Sequence, residues 1–193
     1  MFELQMWDIE HPLKQFSCFG SDVITKLQEK KLSIEDILEM DPREIGNILR
    51  NPKLGQKIQD YARYIPALEI TPTLQPITRT VLRIRLKIVA MFRWNDNYHG
   101  KSTEPFWIWI EDSSTNFIYH SEYFLITKKQ VMKKEVQDLV MTIPLQEPLP
   151  SEYYVRAVSD RWLGSNTTEP LSFSHLTLPE GHPPHTGNNK LLI

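Results

Sequence analysis

Five groupings in this 193-residue chain hold side-chain types that do chemistry, and their spacing decides what each could do. His182-Pro-Pro-His185 is the one close histidine pair. Its two prolines hold the backbone extended and no cysteine or carboxylate cluster adds ligands, so metal binding is not expected. Glu111 and Asp112 are adjacent carboxylates; strand neighbours point to opposite faces, so they read as solvated strand-end residues rather than an acid pair. His120, Asp160 and any of several serines supply the types of a hydrolytic triad without a spacing that demands one. No GxxxxGK[ST], GxGxxG or GxSxG occurs, and 7 glycines leave little material for a phosphate-cradling loop. No catalytic residue, metal ligand or cofactor is predicted.

The other two groupings are basic. In RNPKLGQKI (50–58), a Pro-x-apolar-Gly turn followed by Lys57 resembles a helix-hairpin-helix, in which free N–H groups at a helix N-terminus accept phosphate. Lys53, Gly55 and Lys57 are therefore candidate nucleic-acid contacts, with an ordinary interhelical turn as the alternative. In LQPITRTVLRIRLKI (74–88), one parity holds Arg79, Arg83, Arg85 and Lys87 and the other holds Leu82, Ile84, Leu86 and Ile88. Such alternation marks a half-buried strand. Its basic row reads first as the wet face of a sheet, second as a protein-docking surface, and third as a nucleic-acid contact.

The elements that position these groups follow two periods. Between Ser21 and Ile65 the apolar spacing is helical: Val23, Ile24 and Leu27 behind a Ser21 cap; Ile34, Ile37 and Leu38 behind SIED; Ile45, Ile48 and Leu49 behind DPRE; and Ile58, Tyr61, Ala62 and Ile65 after Gly55. From residue 68 the period becomes two. Seven strands are predicted, at 68–75, 79–92, 106–112, 116–126, 137–143, 152–160 and 170–178, separated by WNDNYHGKSTEP, DSSTN, KKQVMKKE, QEPLPS and GSNTTEP. The fold class is thus α+β: a small all-α helix-loop-helix domain followed by an antiparallel immunoglobulin-like β-sandwich. Tyr153, just after a proline turn, suggests the tyrosine corner of such sandwiches.

Composition narrows the function classes. The chain has 22 basic and 24 acidic residues. Residues 1–70 carry 9 basic against 12 acidic and the remainder 13 against 12, so neither part is a polyelectrolyte arm. A single cysteine, Cys18, excludes an intrachain disulfide. No apolar run reaches the length of a membrane span, and residues 1–17 interleave Glu3, Asp8, Glu10 and Lys14 where a signal peptide would be apolar. An intracellular protein without membrane partners is expected.

Specific motifs add a family. HPLKQF (11–16), EIGNILRNPKLGQKI, LQPITRT (74–80), FWIWIED, IYHSEYF (118–124), PLPSEYYVRAVSDRWLG (148–164) and HLTLPEGHPPHT together resemble the Sec sixty-three unit of large Ski-two-like helicases, of the signal-cointegrator and spliceosomal kinds, across residues 11–186. The resemblance implies 1–20 as the end of a truncated helical bundle or linker, 21–67 as the helix-loop-helix domain, 68–180 as a fibronectin type III-like sandwich and 181–193 as a flexible tail. GNNKLLI at the end departs from the family's continuation and suggests a truncated or alternative product. The resemblance also implies a non-catalytic accessory module of an ATP-dependent 3'–5' helicase, active in DNA repair or RNA processing, nuclear and also cytoplasmic. ATP binding and hydrolysis belong to the parent protein alone. Its implied partners are the parent's ATPase core or second cassette, single-stranded RNA or DNA held weakly, and other subunits of a helicase complex. The alternative is a Sec sixty-three-type interaction module of the endoplasmic reticulum translocation machinery.

Overall fold

The four predicted helices form, three of them behind a side-chain cap. In the computed structural model, which describes residues 10–145, 152–173 and 176, a 3-10 turn at Pro12–Gln15 leads into α1 (Ser21–Glu29), α2 (Ile34–Glu39), α3 (Pro42–Ile48) and α4 (Pro52–Ala62). Ser33 and Asp36 exchange both bonds of a capping box at the start of α2, and Asp41 accepts from the Arg43 amide at 2.7 Å at the start of α3. Two boundaries differ from expectation. Gly20 rather than Ser21 is the cap of α1, and α4 begins at Pro52, three residues before Gly55. The latter follows from Asn51, whose Oδ1 accepts from Lys53 N at 3.2 Å, and from proline's fixed φ at the first helical position.

Gly55 consequently lies inside α4 and is buried. A Cβ there would run into the Pro42 carbonyl, 2.8 Å from its carbon and 3.0 Å from Gly46 N, while a Cβ on Gly46 would lie 2.9 Å from Pro52 Cα. The two glycines let α3 and α4 cross backbone to backbone. Around that crossing Leu13, Phe16, Leu27, Ile37, Ile45, Leu49 and Ile58 make the helical core.

The strands are β1 (Leu68–Thr78), β2 (Val81–Ala90), β3 (Thr103–Asp112), β4 (Ile118–Thr127), β5 (Gln137–Pro144), β6 (Glu152–Ser159) and β7 (Asn166–Ser172). They form two antiparallel sheets, ordered β1-β2-β5 and β4-β3-β6-β7, packed as a sandwich. Leu82, Ile84, Leu86 and Ile88 are fully buried while Arg83, Arg85 and Lys87 are exposed, the alternation read from sequence. Three stretches read as breakers are ordered instead. KKQVMKKE begins α6 (Lys128–Lys133), because Thr127 and Gln130 form a capping box. WNDNYHG holds the short α5 (Asp96–His99). GSNTTEP opens β7, since Gly164 at φ +70° completes the turn and the β-branched Thr167 and Thr168 then pair with Ala157 and Arg156.

Tyr153 is 1% exposed, tilted on Tyr119 at 4.9 Å and edge-on to Phe173 at 4.9 Å. Burial, with a hydrogen bond to Tyr119, raises its hydroxyl pKa. The backbone acceptor expected of a tyrosine corner falls at 146–151, outside the described residues.

The helical part and the sandwich share one aromatic seam. Trp162 stacks on His99 at 5.3 Å and leans on Phe16 at 5.6 Å, and Tyr98 meets Phe16 edge-on at 5.1 Å. Backbone and side-chain bonds lace the same line: Arg93 N donates to Arg63 O at 2.7 Å, Gln15 Nε2 to Leu163 O at 3.0 Å, and Leu163 N to Gln15 Oε1 at 2.9 Å. Too small a core for four short helices on their own is thus supplemented by the sandwich loops.

Candidate docking surfaces

Two buried histidines are held as neutral rings, His99 in the seam and His11 within the helical part. His99 Nδ1 accepts from Asn95 N at 2.9 Å while Nε2–H donates to Tyr64 O at 2.7 Å. His11 accepts from Leu13 N at 3.2 Å and donates to Leu32 O at 2.9 Å. Both pKa values are lowered by burial, which penalises the charged ring more than the bonds to backbone carbonyls favour it. Beside them Glu104 is fully buried, its Oε1 3.5 Å from Trp162 Nε1 and its Oε2 without a hydrogen-bond partner. Burial raises its pKa to about 7. His99 and Glu104, both against Trp162, serve the geometry of the seam, and His11 that of the helical part.

The sequence-predicted carboxylates and triad types are held apart by their own partners. Glu111 and Asp112 are 7% and 9% exposed, which corrects the solvated reading: Glu111 Oε2 accepts from Trp109 Nε1 at 2.7 Å and lies against Arg156, and Asp112 Oδ1 accepts from Ser114 N at 2.7 Å to close the DSST turn. His120 bonds Glu122 at 2.8 Å, whereas Asp160 accepts from Trp107 at 3.2 Å and from Tyr123 at 3.4 Å. His182 and His185 lie outside the described residues. Among the described residues no cluster of three His, Cys, Asp or Glu could hold a metal, and no helix is long and apolar enough to cross a membrane.

Lys53, Gly55 and Lys57 all fall on α4 rather than around a turn. Lys53 is exposed, Gly55 is sealed against α3, and Lys57 Nζ points to Cys18 O at 3.5 Å and lies over the Phe19 ring at 5.4 Å. The first donors of α4 are already used, Lys53 N by the Asn51 side chain and Leu54 N by Asn51 O at 3.1 Å. Lys53 and Lys57, four residues apart on α4, share a helix face, whereas Gly55 is turned against α3.

Arg83, Arg85 and Lys87 do line up, on the outward face of the three-stranded sheet. Their cross-strand neighbours are Gln75, Thr73 and Thr71 on β1 and Thr142, Val140 and Asp138 on β5. Asp138 is taken by Arg85 Nε at 2.9 Å, while Arg83 and Lys87 have no ion-pair partner among the described residues. Arg79 is exposed in the β1–β2 turn, off the end of the row, because β2 starts only at Val81.

The outward face of the other sheet was not singled out from sequence. There Trp107 is 44% exposed, Tyr123 47% and Leu125 50%. Trp107 and Tyr123 are register partners with ring centroids 4.8 Å apart, and Asp160 accepts a hydrogen bond from each, fixing both rings. Alternation through FWIWI, with Ile108 and Ile110 inward, was the available signal. An oriented aromatic pair standing in water, on a rigid sheet and beside an apolar neighbour, is the usual anatomy of an interface hot spot.

The family model described as the Sec63 Brl domain matches residues 1–172 of this sequence. The chain belongs to the Sec63 Brl domain family. It is 51% identical over 186 residues to activating signal cointegrator 1 complex subunit 3 of Gallus gallus, a match covering 96% of this chain and 8% of that protein. The human subunit is 50% identical with the same coverage. The human U5 small nuclear ribonucleoprotein 200 kDa helicase is 40% identical over 186 residues, covering 96% of this chain and 9% of that helicase. The Sec63 Brl chain thus spans about a tenth or less of these relatives, and corresponds to a helicase-associated module of them.

Proposed function

We propose that this Sec63 Brl chain is a non-catalytic accessory module that docks its sandwich on the ATPase core or second cassette of a helicase. The observation that carries this reading is the oriented Trp107–Tyr123 pair beside Leu125 on the outer face of the four-stranded sheet. Water-exposed aromatic area of this kind is costly unless covered, and the relatives hold more than nine-tenths of their length elsewhere to cover it. Arg83, Arg85 and Lys87 add a positive field on the opposite sheet, which suits steering and register more than affinity. The helical part lies beside the single-stranded product, RNA or DNA, with exposed Lys53 as its contact, and the whole acts in an intracellular, nuclear setting.

The test is a binding titration of this chain against the ATPase cassettes of the human cointegrator subunit. Trp107→Ala with Tyr123→Ala, both on exposed positions, is expected to weaken binding about 30-fold or more, in the range of a hot-spot pair. Arg83→Glu with Lys87→Glu is expected to slow association and flatten its salt dependence. Unchanged affinity in the aromatic double variant overturns the docking face.

A further inference from the structure

We propose a second binding site, a basic methionine-lined groove that takes an acidic amphipathic segment of a partner protein. It lies where the end of α4, the segment following β2, and α6 meet, encloses about 830 Å³, and is lined by Arg63, Met91, Arg93, Trp94, Met132 and Lys134 among others. It is distinct from the Trp107 face and does not depend on the docking proposed there.

The walls are pinned. Lys128 Nζ donates to both oxygens of Asp96 at 2.6 and 2.8 Å, Trp94 Nε1 donates to the same carboxylate at 2.9 Å, and the Thr127–Gln130 capping box fixes the start of α6. Val131 is buried in the sandwich core, which turns Met132 and the following lysines outward. The floor is open: Met132 is 69% exposed and Met91 48%. Flexible thioethers in a concave site adapt to varied apolar side chains.

Charge selects the partner. The lining holds four cations, Arg63, Arg93, Lys128 and Lys134, against the single carboxylate of Asp96, in a chain whose net charge is −2. Asp96 is neutralised by Lys128, and Arg63 pairs with Asp60 at 3.2 Å, but Arg93 and Lys134 have no ion-pair partner among the described residues. Lys134 also occupies the left-handed region, φ 49° and ψ 42°, where a helix end ordinarily places glycine. Two free cations flanking exposed methionines complement an apolar stripe bordered by carboxylates. A nucleic-acid strand fits less well, because the groove's one partly exposed aromatic ring, Trp94, already packs against His99 at 5.1 Å and Phe92 at 6.3 Å, and base stacking ordinarily uses free rings.

The experiment titrates this chain into a fluorescein-labelled helical peptide with leucines at i, i+3, i+4 and i+7 and glutamates elsewhere. A scrambled peptide of the same composition and labelled oligothymidylate run in parallel. The patterned peptide is expected to bind in a salt-sensitive manner and more tightly than the scrambled one. Arg93→Glu with Lys134→Glu should weaken it about tenfold, and Met132→Ser several-fold with little change in salt slope. Both sets of positions are exposed, and melting midpoints verify the fold. Failure of the patterned peptide to bind, equal binding of the scrambled one, or indifference to both sets of substitutions overturns the site. Oligothymidylate binding that is lost in the double variant while the peptide does not bind reassigns the groove to single-stranded nucleic acid.

Discussion

Gly55→Ala separates two readings of one residue. If Gly55 served a phosphate-binding turn, an alanine methyl would perturb binding and leave the fold alone. In the structure the added Cβ meets the backbone of Pro42, 2.8 Å from its carbonyl carbon, and backbone cannot step aside as a side-chain tip can. Relief requires α3 and α4 to separate, which also loosens Ile45 and Ile58 at the crossing. Helix propensity favours alanine by about 1 kcal/mol, whereas overpacking of a tight core costs about 1–3 kcal/mol or more when it moves backbone. The expected balance is a loss of about 2 kcal/mol, or about 4–8 °C in melting midpoint for a chain of this size. Circular dichroism melts of the two proteins, with single-strand anisotropy at the same concentrations, measure both quantities. A midpoint that is unchanged or raised, together with weakened single-strand binding, would refute the packing argument.

Further outcomes follow from the seam and the surface. Trp162→Ala removes the ring between His99 and Phe16; it should cost about 2–4 kcal/mol, at the lower end for a partly buried tryptophan, and split one melting transition into two as the helical part loosens first. A single transition at the wild-type midpoint would contradict the seam's role. Glu104 should give a pH slope: its folded pKa of about 7 lies above its unfolded value near 4.5, so its contribution is fully present below the unfolded value and is lost as pH rises towards 7. The loss amounts to at most about 3 kcal/mol, and Glu104→Gln should abolish that slope in denaturant titrations from pH 5 to 8. His99 and His11 act with the opposite sign, since lowered histidine pKa values withdraw stability as pH falls below the unfolded value of 6.5. His99→Gln should therefore reduce sensitivity to acid; an unaltered acid limb would count against the neutral-ring assignment. Lys53→Glu with Lys57→Glu should lower the salt slope of single-strand binding by about one rather than two, because Lys57 is turned onto Phe19. A drop of two would show Lys57 on phosphate.

The α+β order, the seven strands and the inward parity of β2 were legible because each rests on period and local capping. Side chains such as Leu82 and Ile84 declare their face within a few residues. What was not legible depends on contacts far along the chain. Gly55 looked like a turn residue because its reason, the Pro42 backbone thirteen positions earlier, is invisible to spacing. His99 and Trp162 sat in stretches read as loop, yet they cement the helical part to the sandwich. Glu111 was read as solvated because its cover, Trp109 and Arg156, comes from the same outer face and the adjoining strand. Lys53, Gly55 and Lys57 were grouped as a turn, whereas the start of α4 at Pro52 puts the two lysines on one helix face and Gly55 against α3.

The central claim, that the Trp107 face docks on a helicase core, is tested most directly by position-specific photocrosslinking. A benzophenone amino acid would replace Leu125, beside the intact Trp107–Tyr123 pair, and Asn47 on the exposed surface of α3 as the control. Each protein would be irradiated with the ATPase cassettes of the human cointegrator subunit. Efficient crosslinks from position 125, suppressed by excess unlabelled wild-type chain and absent from position 47, are the predicted result. Equal or greater crosslinking from position 47, or none from 125 at saturating cassette, would contradict it.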